Sequence, residues 1–246
     1  MIQAVAIIPS RYGSTRFPGK PLAPIAGKPM IRHVYERACK CSRLSKVYIA
    51  TDDPGISSVV VGFGGKALMT GSSHRSGTDR VCEAAEILGL APDTVVVNIQ
   101  GDQPLFPPSV IDDLVSPFEE PDPPGMTTLM YCFDDPEDVH NPNHVKVVTD
   151  RRGNALYFSR SAIPYMRDGV KADCYKHLGF YAYTTRFLKE FTRLPEGRLE
   201  ASEKLEQLRA LEYGFKIRVV ETAFESLEVD VPGDVARIES RLAAED

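Results

Sequence analysis

The residues with the clearest chemical potential lie in one loop, Pro9-Ser10-Arg11-Tyr12-Gly13-Ser14-Thr15-Arg16-Phe17-Pro18-Gly19-Lys20-Pro21. Its small residues let backbone N–H groups approach phosphate oxygens, and Arg11, Arg16 and Lys20 bring positive charge to the same place. A ligand-free Gly/Pro turn is the alternative reading, and three cations in one turn-rich loop weigh against it. The loop is not the Gly-x4-Gly-Lys-Ser/Thr phosphate loop. Five residues separate Gly13 from Gly19, and Pro21 stands where a hydroxyl would hold magnesium. No Gly-x-Gly-x-x-Gly follows the first apolar run, which disfavours a dinucleotide-binding dehydrogenase. Gly62-Phe63-Gly64-Gly65 follows a helical stretch and reads as its C-cap.

Two acids complete the chemistry. Asp102 ends Asn98-Ile99-Gln100-Gly101-Asp102, and Asp230 lies in Val229-Asp230-Val231-Pro232. An acid just past a buried strand projects into the crevice where open α/β sheets bind ligands. Taken alone, Asp230 reads better as the N-cap of a helix begun by Pro232. Together, two hard carboxylates can share Mg²⁺ with substrate phosphates.

These residues need a scaffold, and the apolar runs supply one. Ala4 to Ile8, Val47 to Ala50 and Thr94 to Ile99 lack polar alternation, as strands buried on both faces do. Helical stretches at Pro29 to Cys41, Ile56 to Gly62 and Thr78 to Leu88 lie between them, with Gly77-Thr78-Asp79 as candidate N-caps. Strand alternating with helix predicts an α/β fold with a central, mostly parallel sheet. Further on, residues 145–150 and 155–159 flank Arg151-Arg152-Gly153-Asn154 as a β-hairpin. Strands are expected at Thr127 to Phe133, Tyr175 to Tyr183 and Lys216 to Val220, and helices at Thr185 to Arg193, Glu200 to Tyr213 and Pro232 to Ala243. The Pro-rich stretch Glu119 to Gly125 reads as a loop inside one domain spanning residues 1–246.

Composition narrows the class. Of 246 residues, 43% are hydrophobic and 26% charged, which excludes a disordered or fibrous chain. A net charge of −5 argues against nucleic acid as the partner. Within that acidic average, residues 11–40 hold Arg11, Arg16, Lys20, Lys28, Arg32, Arg37 and Lys40 against Glu36 alone. That island is either a local anion site or a solvated basic face. The five cysteines are scattered without a Cys-x-x-Cys pair, which disfavours zinc and a disulfide framework and suits a reduced compartment. No apolar run reaches the roughly 18–20 residues of a membrane span, and the first residues lack a basic leader segment. A cytoplasmic protein without membrane insertion is therefore expected.

The loop Pro9 to Leu22, followed by Gly27-Lys28-Pro29-Met30-Ile31, resembles the nucleotide-binding signature of the 3-deoxy-manno-octulosonate (Kdo) cytidylyltransferase, or CMP-Kdo synthetase, family. The resemblance continues through Ser76-Gly77-Thr78-Asp79-Arg80, Val97 to Asp102, Asn141-Pro142, Val145 to Val148, Ala155 to Arg160, His177-Leu178-Gly179, Leu205 to Arg209 and Val229-Asp230. Landmarks in this order span nearly the whole chain. The family implies a Rossmann-like, GT-A-like nucleotidyltransferase fold, with a hairpin-containing dimerisation and sugar-binding region at about 145–183 and a homodimer. It also implies a reaction in which CTP and Kdo give CMP-Kdo and pyrophosphate with Mg²⁺, for lipopolysaccharide biosynthesis.

The resemblance carries roles to matching residues. Arg11 and Lys20 would hold the CTP phosphates, and Arg11, Lys20 and Asp102 form the catalytic set. Ser10, Arg11, Tyr12, Gly13, Ser76 and Gly77 would line the nucleotide site. Gln100, Arg160, His177, Tyr181, Glu206 and Gln207 would hold the sugar acid, and Asp102 and Asp230 the metal. Simpler readings stand beside several of these. Arg160 could pair with an acid at the hairpin edge, although Arg suits a sugar carboxylate bidentately. His177 could be a structural histidine. Glu206 and Gln207 lie beside the apolar stripe Ala201, Leu205, Leu208 and Leu211 and could be surface.

The chain also departs from the family pattern. Gln103 stands where Glu is common, Arg75 stands where Gln is common, and Val229 to Asp234 departs from the usual ending. With Leu208 to Gly214, Gln103 brings the chain nearer the branch that activates 8-amino-3,8-dideoxy-Kdo. A nucleotidyltransferase for another sugar acid and a non-catalytic nucleotide-binding module remain the alternatives.

Overall fold

The computed structural model describes residues 2–13, 17–167, 172–225 and 227–244. In chain order its strands and helices are β1 (Ala4–Ser10), β2 (Pro24–Ile25), β3 (Lys28–Pro29), α1 (Met30–Ala38), β4 (Leu44–Thr51), α2 (Pro54–Gly62), β5 (Ala67–Met69), α3 (Gly77–Ile87), β6 (Val95–Asn98) and α4 (Ser109–Val115). They continue as β7 (Met126–Cys132), β8 (Lys146–Thr149), β9 (Ala155–Ser159), β10 (Tyr175–Thr184), α5 (Thr185–Phe191), α6 (Arg198–Glu203), α7 (Gln207–Glu212), β11 (Arg218–Glu221) and α8 (Asp234–Leu242).

Nine of the strands form one sheet in the order β11-β7-β10-β6-β1-β4-β5, with β8 added to β10 and β9 to β8. Neighbours along the main path are parallel except at β10, which runs antiparallel to both β6 and β7. The expected mostly parallel α/β sheet is therefore present. Because β1 lies between β4 and β6 with layers on both faces, its alternating residues feed two cores. Ala4, Ala6 and Ile8 pack on one side with Ile31, Val34 and Phe180. Val5 and Ile7 pack on the other with Val81, Phe158 and Tyr183. Burying Ile7 and Ile8 completely contributes about 1.5–3 kcal/mol each.

The site follows from strand order. From β1 the chain moves outward to β4 and β5, then returns to lay β6 on the other side of β1. The loops leaving β1 and β6 diverge there, opening a crevice at the carboxyl ends of the strands. These loops carry Arg11, Lys20 and Asp102.

Several local expectations shift. The stretch from Glu200 to Tyr213 is two helices, because Lys204 adopts a left-handed conformation (φ 53°) and ends α6. The break lets α7 fold back, so that the Glu212 carboxylate accepts N–H bonds from Arg198 and Leu199 at the start of α6. Ser76, one residue ahead of the proposed caps, is the N-cap of α3, its Oγ accepting from the Asp79 N–H at 3.1 Å. The β8–β9 hairpin forms as expected, with Gly153 at φ +76° in its turn. Within the 145–183 region, β10 lies in the middle of the sheet.

Candidate active site

Two glycines let three loops converge on the end of β1. A Cβ on Gly101 would stand 3.1 Å from the Pro9 carbonyl oxygen, and one on Gly77 would stand 3.3 Å from the Pro9 ring. The β6 loop and the start of α3 therefore close on Pro9 only without side chains there. Gly19 (φ +70°) donates its N–H to the Tyr12 carbonyl at 3.1 Å and closes the basic loop. Ser14, Thr15 and Arg16 lie outside the described residues.

The resulting cleft holds about 250 Å³ and is lined by Ser10, Arg11, Lys20, His74, Arg75, Ser76, Gly77, Arg80, Gln100 and Asp102 among others. Of the expected nucleotide residues, Ser10, Arg11, Lys20, Ser76 and Gly77 meet there. Tyr12 and Gly13 are exposed and lie outside the lining, with the Tyr12 ring packed over Gly19. The buried Ser10 hydroxyl has no hydrogen-bond partner among the described residues. Arg75 and Arg80 add cations, and His74 an imidazole, that the functional assignment omitted. Arg80 is buried and fixed by Thr70 Oγ1 (2.6 Å), the Gly71 carbonyl (3.2 Å) and Asp52 (3.3 Å). His74 is held by Glu83, and this hydrogen bond draws the Glu83 pKa below its usual value.

Lys20 is already engaged. Its Nζ donates to Asp102 Oδ2 at 2.6 Å and to the Val229 carbonyl at 2.7 Å, and lies 3.9 Å from Asp230 Oδ1. Asp230 is not a helix cap. Gly233 holds the N-cap position of α8, and the Asp234 carboxylate ties back the preceding turn by accepting the N–H groups of Asp230 and Val231 at 2.8 and 3.0 Å. Both Asp102 and Asp230 thus reach one ammonium within 4 Å, and this donor set fits a divalent cation. Magnesium commonly takes one or two carboxylates and completes its shell with water and phosphate. Accordingly, the described residues contain no all-protein cage of three or more His, Cys, Asp or Glu.

A second cavity of about 690 Å³ adjoins the first. Of the residues given to the sugar site, Gln100, Arg160, His177, Tyr181 and Gln207 line it. Glu206 does not line it. Its Oε2 accepts the Thr78 hydroxyl, and its carboxylate also faces Arg209, pinning α7 to α3. The Arg160 guanidinium donates to the carbonyls of Glu203 (2.8 Å) and Pro142 (3.1 Å), and no carboxylate lies within 4 Å of it among the described residues. A positioned cation without a counter-ion suits an acid ligand. His177 Nε2 lies 2.9 Å from Thr128 Oγ1, and the ring packs edge-on against Phe158. Burial lowers its pKa to about 3, so the ring is neutral at physiological pH. Burial likewise raises the Tyr181 pKa well above its usual value.

Three further residues shape this cavity. Lys146 is fully buried, and its Nζ donates to the carbonyls of Asn141, His144 and Arg160 at 2.6–3.0 Å, tying the loop before β8 to the end of β9. Burial lowers its pKa. Glu228 lines the cavity, and its Oε1 accepts from the Nε2 of fully buried Gln103 at 3.0 Å. Glu228 is open at the cavity mouth, yet protein surrounds its carboxylate. Burial and then the Asp102 charge raise its pKa. The alternation Leu227-Glu228-Val229-Asp230 was a legible signal, since period 2 puts both acids on one face. No comparable pattern marks Lys146.

A doubly wound sheet with a basic loop and strand-end acids at its switch point defines the class of α/β nucleotidyltransferases. Residues 5–217 match the family model described as Cytidylyltransferase, and the chain belongs to that family. It is therefore a nucleotidyltransferase enzyme. The chain is 56% identical over 240 residues to 8-amino-3,8-dideoxy-manno-octulosonate cytidylyltransferase of Shewanella halifaxensis (strain HAW-EB4), covering 97% of this chain and 98% of that protein. It is 57% identical over 242 residues to 3-deoxy-manno-octulosonate cytidylyltransferase of Desulfatibacillum aliphaticivorans, covering 98% and 99%. Its fold matches CMP:2-keto-3-deoxy-manno-octonic acid synthetase complexed with CTP at a TM-score of 0.93 and 42% identity, covering 99% of this chain and all of that one.

Proposed function

We propose that this enzyme transfers CMP from CTP to the anomeric hydroxyl of a Kdo-type sugar acid, giving the CMP-sugar and pyrophosphate. The observation that carries this reading is the shared wall: Gln100 and Asp102 line both cavities, so two ligands would meet there. The relatives' activities support the same reaction class. CTP would occupy the basic cleft, its phosphates against Arg11 and Lys20 and its nucleoside along Ser10, Ser76 and Gly77, with Tyr12 and Gly13 shaping the loop. The sugar carboxylate would face Arg160, with Gln100, neutral His177, Tyr181 and Gln207 as hydrogen-bonding walls. Glu206 would support that wall through Thr78.

The anomeric oxygen attacks the α-phosphorus, the bond to the pyrophosphate oxygen breaks, and the hydroxyl proton passes to solvent. Such a step needs alignment and charge neutralisation more than covalent catalysis. Asp102 and Asp230 are the residues that would hold Mg²⁺, which when bound supplies charge neutralisation at phosphate oxygens and orientation of the hydroxyl. Lys20, released from Asp102, would then stabilise the departing pyrophosphate. The same reading puts the enzyme in the cytoplasm, its product in lipopolysaccharide biosynthesis and two copies in a homodimer, with exposed Leu156 and Tyr165 of the 145–183 region as candidate contacts.

The test is pyrophosphate release from CTP and Mg²⁺ with Kdo, 8-amino-3,8-dideoxy-Kdo or N-acetylneuraminate in parallel. Release with a Kdo-type sugar is expected. CTP binding without release from any sugar would instead indicate a non-catalytic nucleotide-binding module.

A further inference from the structure

Glu203, the last residue of α6, lies outside the lining of both cavities, yet it grips the end of β9 with both carboxylate oxygens. Its Oε1 accepts the hydroxyl of buried Ser159 at 2.7 Å, and its Oε2 accepts the Arg160 N–H at 2.9 Å. Ser159 Oγ in turn accepts the Ser161 N–H at 3.0 Å, so the backbone is fixed on both sides of Arg160. The Glu203 carbonyl takes the side chain as well, accepting from Arg160 Nε at 2.8 Å. That carbonyl is available because left-handed Lys204 ends α6, and the last carbonyls of a helix lack intrahelical N–H partners. From the other side, Lys146 Nζ donates to the Arg160 carbonyl at 2.6 Å.

This arrangement holds a guanidinium in place without cancelling its charge. The Glu203 carboxylate is spent on a hydroxyl and a backbone N–H, while the guanidinium itself donates to the neutral carbonyls of Glu203 and Pro142. A guanidinium has five N–H donors, and these two bonds leave three, enough for a bidentate carboxylate. In a 2-keto sugar acid the carboxylate is bonded directly to the anomeric carbon. Whatever fixes the carboxylate therefore also fixes the attacking hydroxyl. We propose that Glu203 is the positioning residue for Arg160, and that through Arg160 it aligns the anomeric hydroxyl with the α-phosphorus. This proposal rests on the sugar-acid reading above and goes further by assigning the residue that orients the acceptor.

The test is a double-mutant cycle on the full-length enzyme at saturating CTP and Mg²⁺, with Kdo, or 8-amino-3,8-dideoxy-Kdo where that is the faster substrate. Glu203→Ala should lower kcat/KM for the sugar about 10- to 100-fold, the scale of hydrogen bonds to a charged group. Both a higher KM and a lower kcat should contribute, because a misplaced acceptor binds less well and attacks less often. CTP affinity, read by calorimetry, should hold. Glu203→Gln keeps the shape and one acceptor, and should recover a large part of the loss. In an Arg160→Ala background, Glu203→Ala should change kcat/KM by less than about threefold, since coupled residues are non-additive. Melting curves confirm that each variant folds. An equal further loss in the Arg160→Ala background, or a fall in CTP affinity in step with kcat/KM, would show a merely structural role and overturn the assignment. Unchanged sugar kinetics in Glu203→Ala would overturn it too. Unchanged sugar kinetics in Arg160→Ala would instead remove the reading on which the proposal rests, and the proposal with it.

Discussion

Replacing Asp102 with Asn separates the chemistry of this site from its architecture. In the structure the Asp102 carboxylate meets Lys20 Nζ at 2.6 Å, with the two side chains 29% and 14% exposed. The Asp102 backbone carbonyl separately accepts the Val229 N–H at 3.0 Å and is untouched by the substitution. Asn keeps the shape and one acceptor oxygen. Lys20 retains the Val229 carbonyl at 2.7 Å and Asp230 at 3.9 Å. The stability lost is therefore that of one partly exposed charge-assisted bond weakened to a neutral acceptor, about 1 kcal/mol. For a domain of this size that is about 2–4 °C in Tm. Turnover should fall much further, by at least about 10²–10³-fold, because the lost charge faces the point where both cavities meet. Differential scanning calorimetry, pyrophosphate release and Mg²⁺ titration by calorimetry on the same preparation read the three quantities. Near-wild-type turnover, or a Tm loss beyond 10 °C with turnover falling only in proportion to the unfolded fraction, would refute the reasoning.

Other expectations follow from the same geometry. Arg160→Ala should raise the sugar KM by tenfold or more while CTP affinity, read by calorimetry, holds; an equal loss of both would remove Arg160 from the sugar side. Lys146→Met should leave three carbonyls without their shared donor and cost about 2–4 kcal/mol, visible as a lower urea midpoint, and an unchanged midpoint would show that water replaces the ammonium freely. His177 has a folded pKa of about 3, below its unfolded value near 6.5, so the unfolded state binds the extra proton between those pH values. Its contribution to stability is complete above pH 6.5 and is lost as pH falls toward 3, with a limiting slope of about 1.4 kcal/mol per pH unit. His177→Asn should flatten the urea midpoint over pH 6.5–4.5 relative to wild type, and identical pH profiles would contradict the neutral buried ring.

The sequence by itself determined the class of fold and the two chemical ends of the site. Apolar runs such as Ala4 to Ile8 and Val95 to Ile99 carry no polar alternation, and only a sheet covered on both faces accommodates that. The loop after the first run and the acid after Ile99 announce themselves because strand ends in such sheets face ligands. These are local signals, read within a few residues. What the tertiary structure decided depends on distant pairs. Lys20 meets Asp102 across 82 positions and the Val229 carbonyl across 209. No local pattern announces that a presumed phosphate ligand holds an acid. Glu206 leaves the sugar-side wall because the break at Lys204 turns α7 and sends its carboxylate to Thr78. Asp230 stands off the helix start because α8 begins only at Asp234, with Gly233 at its N-cap and the Asp234 carboxylate holding the turn before it. The antiparallel place of β10 between two strands, which puts His177 and Tyr181 in the cavity, is settled by pairing with β6 and β7. Side-chain alternation fixes which residues share a face, whereas the identity of the facing strand is a property of the assembled sheet.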